Sequence, residues 1–390
     1  MKSRPGANTL AVHGNGTPAG PLGTPIVHSS TFSAPSLERM MEERALGPAG
    51  AFYQRSGHPT LHACEQRLAA LEGAERALLF SSGMGAISAA LFGHLGAGDH
   101  VVALHQCYGG TRELLRWGAE RLSWTYDCVD AGDPKSWDAA FRDRTRLFLV
   151  ESPTNPIAAV VDLAAAAAAA HRHRALLIVD NTFASPVGQH PLELGADLVV
   201  YSATKSIGGH ADLMAGAVIG SATRVEPVWQ ARTVFGPIPD PSTAWLVERS
   251  LKTLPLRVER QNANALALAR RLAGDPRVKH THYPGLPGNP GHEIAKRQMT
   301  LGFGPVLAFE VPGGEPSAQA VVERFRLVLH APSLGGVETL ASLPSRTSHV
   351  HLSDAERQLA GQVEGLIRLS VGIEDEADLW ADLDQALGAD

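Results

Sequence analysis

Short apolar runs alternate with amphipathic stretches through most of the chain. The runs Ala77–Phe80, His100–Leu104, Leu147–Val150, Leu176–Val179, Leu198–Tyr201 and Ala215–Ile219 have the length and composition of buried strands. Helical patterns fill most of the intervals. From Pro59 onward, Leu61, Cys64, Leu68 and Leu71 recur at spacings of 3, 4 and 3, which predicts a helix with one apolar face. The alanine-rich run Ala164–Ala170 reads as another helix, because alanine is the best helix former. Alternating strands and helices predict an α/β fold with a mainly parallel sheet covered on both faces. Residues 1 to 55 break this rhythm. Pro18, Pro21, Pro25, Pro35 and Pro48 exclude a long helix there. Such an arm needs something to pack on, its own body or another subunit. A proline-rich loop, Phe235 to Pro241, marks a boundary near 240–255, and a long helical pattern follows through Leu272. Val306–Val311, Arg326–Leu329 and Ile367–Val371 then read as strands of a second α/β domain.

Composition narrows the function classes. The chain has 390 residues, 44% of them hydrophobic and 19% charged, as a globular protein of more than one domain does. It carries 34 Lys and Arg against 40 Asp and Glu, a net charge of −6, which disfavours a general nucleic-acid or anionic-membrane binder. Cys64, Cys107 and Cys128 show no paired spacing, so neither a disulfide framework nor a thiolate zinc site is expected, and the cytoplasm is the expected location. No apolar run approaches the length of a membrane span. The pairs His171/His173, His280/His282 and His349/His351 lack a completing carboxylate or cysteine pattern, so no metal site is expected. The acidic segment Glu374–Asp378 reads as a solvated face.

In open parallel sheets, ligands bind beyond the carboxyl ends of strands. The strand candidates here run into Glu151-Ser-Pro-Thr-Asn155, Asp180-Asn-Thr182 and Ser202-Ala-Thr-Lys205. A partly buried lysine deprotonates readily and becomes a nucleophile toward carbonyls. An aspartate can pair with a pyridinium nitrogen, and together the two suit pyridoxal phosphate. Ser81-Ser-Gly-Met-Gly85, between a strand and a helix, offers free N–H groups for a phosphate. The same residues also fit a helix cap, a connecting turn and a solvated loop charge. Two other motifs overlap them. Ser202-Ala-Thr-Lys205 matches the S-x-x-K of serine acyl-enzymes, but the SDN and KTG that accompany it are absent. Gly83-Met-Gly begins a dinucleotide fingerprint whose third glycine is replaced by Ser88.

The chain resembles the Cys/Met-metabolism family of pyridoxal phosphate enzymes from about Thr24 to Leu383. The pieces that carry the resemblance are Tyr53-Gln-Arg-Ser-Gly-His-Pro-Thr60, Ser81-Ser-Gly-Met84, Tyr108-Gly-Gly-Thr111, Glu151-Ser-Pro-Thr-Asn-Pro156, Val179-Asp-Asn-Thr-Phe183 and Ser202-Ala-Thr-Lys205. Pro284-Gly-Leu-Pro287, Ala295-Lys-Arg-Gln-Met299, Ser333-Leu-Gly-Gly-Val-Glu-Thr339 and Leu366-Ile-Arg-Leu-Ser-Val-Gly372 follow in order. The resemblance implies a fold-type I, aminotransferase-like architecture. It implies an N-terminal arm (1–55) serving the neighbouring subunit's site, a large cofactor-binding domain (56–245) and a C-terminal domain (246–390). It further implies a homotetramer of tight dimers with shared active sites. Lys205 would form the Schiff base with the cofactor and act as base. Asp180 would hold the pyridinium proton, and Gly83, Met84, Ser202 and Thr204 the phosphate. Tyr108 would stack on the ring and serve as acid/base. Asn155 would lie near the ring hydroxyl and the substrate, and Arg368 with Ser333 would grip the substrate α-carboxylate. Tyr53 and Arg55 would reach the neighbour's phosphate.

Within the family the implied reaction is γ-elimination on sulfur amino acids such as cystathionine, methionine or homocysteine, giving 2-oxobutyrate, ammonia and a thiol. The alternative is γ-replacement, as in a cystathionine γ-synthase or O-acylhomoserine sulfhydrylase. Cystathionine-using members tend to carry glutamates where this chain has Phe52 and Pro332. A cationic distal group would lose two partners there, each worth about 1–3 kcal/mol if desolvated. Methionine γ-lyases are apolar at both places but usually carry cysteine at the position of Gly110, and Glu113 stands near where an arginine is common. From other classes, an NAD-dependent dehydrogenase built on the Gly83 turn and a catalytically silent scaffold remain the competing readings.

Overall fold

The structure, a computed structural model, describes residues 4–16, 21–347, 350 and 353–388. In chain order the strands are β1 (Arg76–Phe80), β2 (His100–Leu104), β3 (Thr125–Val129), β4 (Thr145–Glu151), β5 (Leu176–Asp180), β6 (Leu198–Tyr201) and β7 (Gly216–Gly220). They continue with β8 (His280–His282), β9 (Val306–Glu310), β10 (Leu329–His330), β11 (Leu340–Ser342) and β12 (Leu366–Ser370). The chain divides into two compact units, residues 1–96 with 197–255, and residues 97–196 with 256–390.

In the first unit β7 pairs antiparallel with both β1 and β6. Among the described residues β1 has no second strand beside it in this unit, and the Leu79 N–H and C=O on its open edge are held by an ion pair. Leu79 N–H donates to Glu65 (2.9 Å), Arg232 donates to Leu79 O (2.9 Å), and Arg232 and Glu65 bond each other at 2.6 Å. Both side chains are almost wholly buried, so each depends on the other for its solvation. This lock ties helices Pro59–Glu72 and Ala222–Phe235 to the strand that leads into Gly83. The first helix follows the predicted pattern: Leu61, Cys64 and Leu68 are buried, Pro59 sits at its first position and Gly73 closes it in the left-handed conformation. Among the described residues of the proline-broken arm the helices are short: Ala7–His13, Leu37–Ala45 and a 3-10 turn at Gly47–Ala49.

In the second unit β5, β4, β2 and β3 lie side by side, all parallel. Helix Leu163–Arg172 lays its alanines on this sheet within a core of Val102, Phe148, Val150, Leu177 and Val179. A second sheet has the order β10-β11-β12-β9-β8, antiparallel except at β10/β11. Helices Leu254–Ala273 and Glu376–Leu387 supply Leu268, Leu272, Leu379 and Leu383 to its core with Phe309, Ile367 and Leu369.

Two expectations fail for identifiable reasons. The strand expected at Arg326–Leu329 begins only at Leu329. The Asp382 carboxylate accepts the N–H groups of Arg326, Leu327 and Val328, so they are not available to a sheet. The acidic segment Glu374–Asp378 is not simply solvated. Glu374 accepts from Thr339 N–H (2.6 Å) and Oγ1 (2.8 Å), Asp375 pairs with Arg260, and Glu376 with Arg271. His282 bonds Glu310 at 2.8 Å and meets His280 edge-on, while His173 stacks on Phe141 and bonds Asp138. His171 lies in the last turn of helix Leu163–Arg172, and His349/His351 lie outside the described residues. Among the described residues no group of three or more His, Cys, Asp or Glu side chains is placed to hold a metal, and no helix is long and apolar enough to cross a membrane.

Candidate active site

Each unit presents a set of polar groups at strand ends. In the first, β1 runs through Ser81 and Ser82 into helix Gly83–His94, which Ser82 caps by accepting the Gly85 N–H at 3.0 Å. The first N–H groups of a helix have no intrahelical acceptor, and the dipole adds positive potential there. With Gly85 tied to the cap, the amides of Gly83 and Met84 are the donors a phosphate would meet. Ser202 lies against this turn. A Cβ on Gly83 would stand 2.8 Å from Ser202 Cβ, and one on Gly216 only 2.1 Å from Ser82 O. The turn after β1, the end of β6 and the start of β7 therefore meet at distances that only glycine permits.

Lys205 follows on a tight turn after β6, half-buried, its N–H donating to Ser202 O at 3.1 Å and its carbonyl accepting from Gly209 at 2.7 Å. Thr204 gives its hydroxyl proton to Ala215 O (3.2 Å) and accepts the Ala215 N–H (3.0 Å). Tyr53 and Arg55 are exposed on the arm. Arg55 packs 5.6 Å over the Tyr53 ring and donates to Thr233 O at 2.6 Å. The neighbouring Phe52 has the Arg44 guanidinium 6.0 Å from its ring.

In the second unit, Asp180 ends β5 beside Glu151, its register partner at the end of β4. Thr182 donates to one Asp180 oxygen through both N–H (3.0 Å) and Oγ1 (2.5 Å). Burial raises the pKa of Asp180, against the lowering effect of these two bonds. Glu151 is pushed well above the usual carboxylate range, by burial first and then by the charge of Asp180. Arg368, on β12, is 3% exposed. It donates through Nη1 to Asn155 Oδ1 (2.9 Å) and through Nη2 to the Ser333 carbonyl (3.2 Å). Desolvation lowers its pKa to about 10. Its buried Nε has no hydrogen-bond partner among the described residues, so the fork still has a donor to offer a carboxylate. Tyr108 stands at the start of helix Gly109–Leu122, 42% exposed.

The expected residues thus fall into three groups with visible contacts: Gly83 with Ser202, Tyr53 with Arg55, and Arg368 with Asn155 and Ser333. Two residues that the sequence left without a role support them. Thr182 sets one oxygen of Asp180, and Glu151 accepts the N–H groups of Tyr108 and Asn155. The one available signal was an acidic residue closing an otherwise apolar strand.

The glycine-only cradle at a helix N-terminus fits a phosphate. In the first unit the half-buried Lys205 has the chemistry to meet the aldehyde of pyridoxal phosphate, and in the second unit a desolvated aspartate braced by Thr182 has the chemistry to meet its ring nitrogen. These are the parts of a pyridoxal phosphate enzyme. Residues 8–388 match the family described as Cys/Met metabolism PLP-dependent enzyme, and the chain belongs to that family. It is similar to L-methionine gamma-lyase of Pseudomonas putida, 41% identical over 99% of this chain and 98% of that one. It is also similar to cystathionine gamma-synthase of Mycobacterium tuberculosis, 42% identical over 98% of this chain and 97% of the other. Among solved structures, cystathionine gamma synthase from Xanthomonas oryzae pv. oryzae in complex with aminoacrylate and cysteine superposes with a TM-score of 0.91. It is 37% identical, with 99% of this chain and 98% of that chain covered. The fold is the type I fold of pyridoxal phosphate enzymes, mixed α/β with a mainly parallel central sheet.

Proposed function

We propose that this protein is a carbon–sulfur lyase that carries out γ-elimination on sulfur amino acids with an uncharged distal group, releasing 2-oxobutyrate, ammonia and a thiol. The observation that carries this reading is the pair Phe52 and Pro332. Neither supplies the carboxylate that a cationic distal amine needs, and the Phe52 ring has the Arg44 guanidinium over it, which would repel such an amine. The uncharged distal groups of methionine and homocysteine suit these two uncharged positions better than the cationic distal amine of cystathionine. The second reading is γ-replacement, favoured by the cystathionine gamma-synthase likeness.

Bound pyridoxal phosphate supplies the electron sink for the substrate's α-carbon. The residues of this chain would do the rest. Lys205 would anchor the cofactor, take the α-proton, hand that proton back to the bound substrate–cofactor unit and then, as a free amine again, take the β-proton. Asp180 would hold a proton at the ring nitrogen. Gly83, Met84 and Ser202 would hold the phosphate, joined by Thr204 once its hydroxyl turns from Ala215. Tyr108 would protonate the departing sulfur. Arg368, steadied by Asn155 and Ser333, would fix the substrate carboxylate, and with it the α-hydrogen relative to the base. Tyr53 and Arg55 of the arm (1–55) would complete the neighbour's phosphate site within a cytoplasmic homotetramer. The larger domain (56–245) and the C-terminal domain (246–390) would make up the body.

The test incubates protein and pyridoxal phosphate with methionine, homocysteine, cystathionine or O-acetylhomoserine, each with and without cysteine. 2-Oxobutyrate and new thioethers are followed. Oxobutyrate without added thiol, with kcat/KM for methionine or homocysteine above that for cystathionine, is expected. Cystathionine formed only from O-acetylhomoserine plus cysteine, with little oxobutyrate, would make the protein a γ-synthase.

A further inference from the structure

Glu151 is 5% exposed, charged in principle, and has no role in the chemistry above. Its two oxygens are divided between two site residues. Oε2 accepts the Tyr108 N–H at 2.7 Å, and Oε1 accepts the Asn155 N–H at 2.8 Å. These segments follow two neighbouring parallel strands. Tyr108 opens the helix that follows β2, and Asn155 lies in the loop that follows β4. From Asn155 the chain of bonds continues to Arg368 and the Ser333 carbonyl. One carboxylate thus sets the distance between the aromatic acid/base and the carboxylate-gripping arginine.

We propose that Glu151 is a positioning residue of the reaction, a clasp that holds Tyr108 and the Asn155–Arg368 pair in one geometry without touching substrate or cofactor. The arrangement explains why a carboxylate is retained next to Asp180, where apolar residues would be easier to bury. A single side chain must accept two main-chain N–H groups from opposite sides, and a carboxylate is the group with an acceptor at both ends. Glutamine has one oxygen and one NH2, so it can keep only one of the two bonds. Alanine keeps neither.

The inference rests on the functional reading above only through the roles of Tyr108 and Arg368, and the test separates the two. Glu151→Gln and Glu151→Ala are compared with wild type as full-length holoprotein. Amide hydrogen exchange is read at Tyr108 and Asn155. Affinity is measured for L-norleucine, which has methionine's length but no leaving group, from the change in cofactor absorbance. Steady-state kinetics complete the set. Exchange should quicken at one of the two amides in Glu151→Gln and at both in Glu151→Ala. Norleucine should bind about tenfold more weakly once the Asn155 bond is gone, the loss of one charge-assisted hydrogen bond. The rise in KM should match it, while kcat falls by up to about 100-fold as Tyr108 leaves its place. A loss of correctly folded protein would instead lower the apparent kcat at constant KM and constant norleucine affinity, and would overturn the clasp. So would wild-type exchange at both amides in Glu151→Ala. If wild type binds pyridoxal phosphate but turns over no sulfur amino acid, the functional reading falls, and the exchange and norleucine arms still decide the role of Glu151.

Discussion

At the scale of single residues, the end of β5 stores a conflict. Asp180 and Glu151 are register neighbours, and burial raises the pKa of both. For an acid whose folded pKa lies above its unfolded value, the native state holds the proton more tightly than the unfolded chain does. Stability is therefore full below the ordinary carboxylate pKa and is lost as pH rises through the folded pKa. Asparagine at position 180 has no proton to lose. Its Oδ1 can still accept from Thr182, as the aspartate does. In protein freed of cofactor, Asp180→Asn should thus melt with the wild type below about pH 4. Above that it should melt later, by on the order of a few degrees. Calorimetry across that pH range checks it, and a difference of constant size or opposite sign would contradict the desolvated pair. With pyridoxal phosphate bound the order should reverse, because the aspartate then gains a cationic partner. The wild type thus keeps a carboxylate that destabilises the free protein, a pattern expected of a functional site.

At the scale of elements, the cradle depends on backbone approach more than on side chains. A Cβ on Gly83 meets Ser202 Cβ at 2.8 Å, whereas one on Gly85 meets Pro237 Cβ at 3.2 Å and Ser82 Oγ at 3.3 Å. Gly83→Ala should therefore part the turn from Ser202, at a cost of about 1–3 kcal/mol for overpacking. It should weaken pyridoxal phosphate binding by about tenfold or more. Gly85→Ala, which also replaces a helical glycine, should do much less. Titration of the cofactor-free proteins distinguishes them, and equal losses would show that the contact with Ser202 does not matter. Much of this level was legible in the sequence. β2 and β6 match their apolar runs residue for residue, and the Pro59 helix follows its leucine spacing. β3 did not show, because Tyr126, Asp127 and Cys128 alternate on a half-buried strand with no apolar run. The antiparallel pairing of β7 was equally hidden, since periodicity carries no strand direction. The Asp382 clamp and the Glu151 clasp bind main-chain groups 54 and 4 residues or more away, and no local pattern announces such bonds.

At the scale of the whole molecule, the open question is which protomer each residue serves. The arm places Tyr53 and Arg55 on the surface, where Arg55 bonds a main-chain carbonyl and Tyr53 packs beneath it. Leu37, Met41 and Leu46 nearby on the chain are also exposed, as residues that a second copy covers would be. If Arg55 works in its neighbour's site, two inactive variants should restore each other. Arg55→Ala lacks the group it lends, and Lys205→Ala lacks the base it uses itself. In a mixed dimer, one site combines the intact lysine with the intact arginine, and the other site carries both defects. After random re-pairing of equal amounts, half the dimers are mixed and half their sites intact. Activity should return to about a quarter of wild type in a symmetric dimer with shared sites. If Arg55 serves its own subunit, every site in every pairing carries one defect, and the mixture stays as inactive as its components. The readout is oxobutyrate formation after mild dissociation and reassociation, with wild type taken through the same cycle to set the scale. Light scattering on the reassociated protein should give a tetramer, whereas a stable monomer that retains cofactor would rule out the lent arginine without any kinetics.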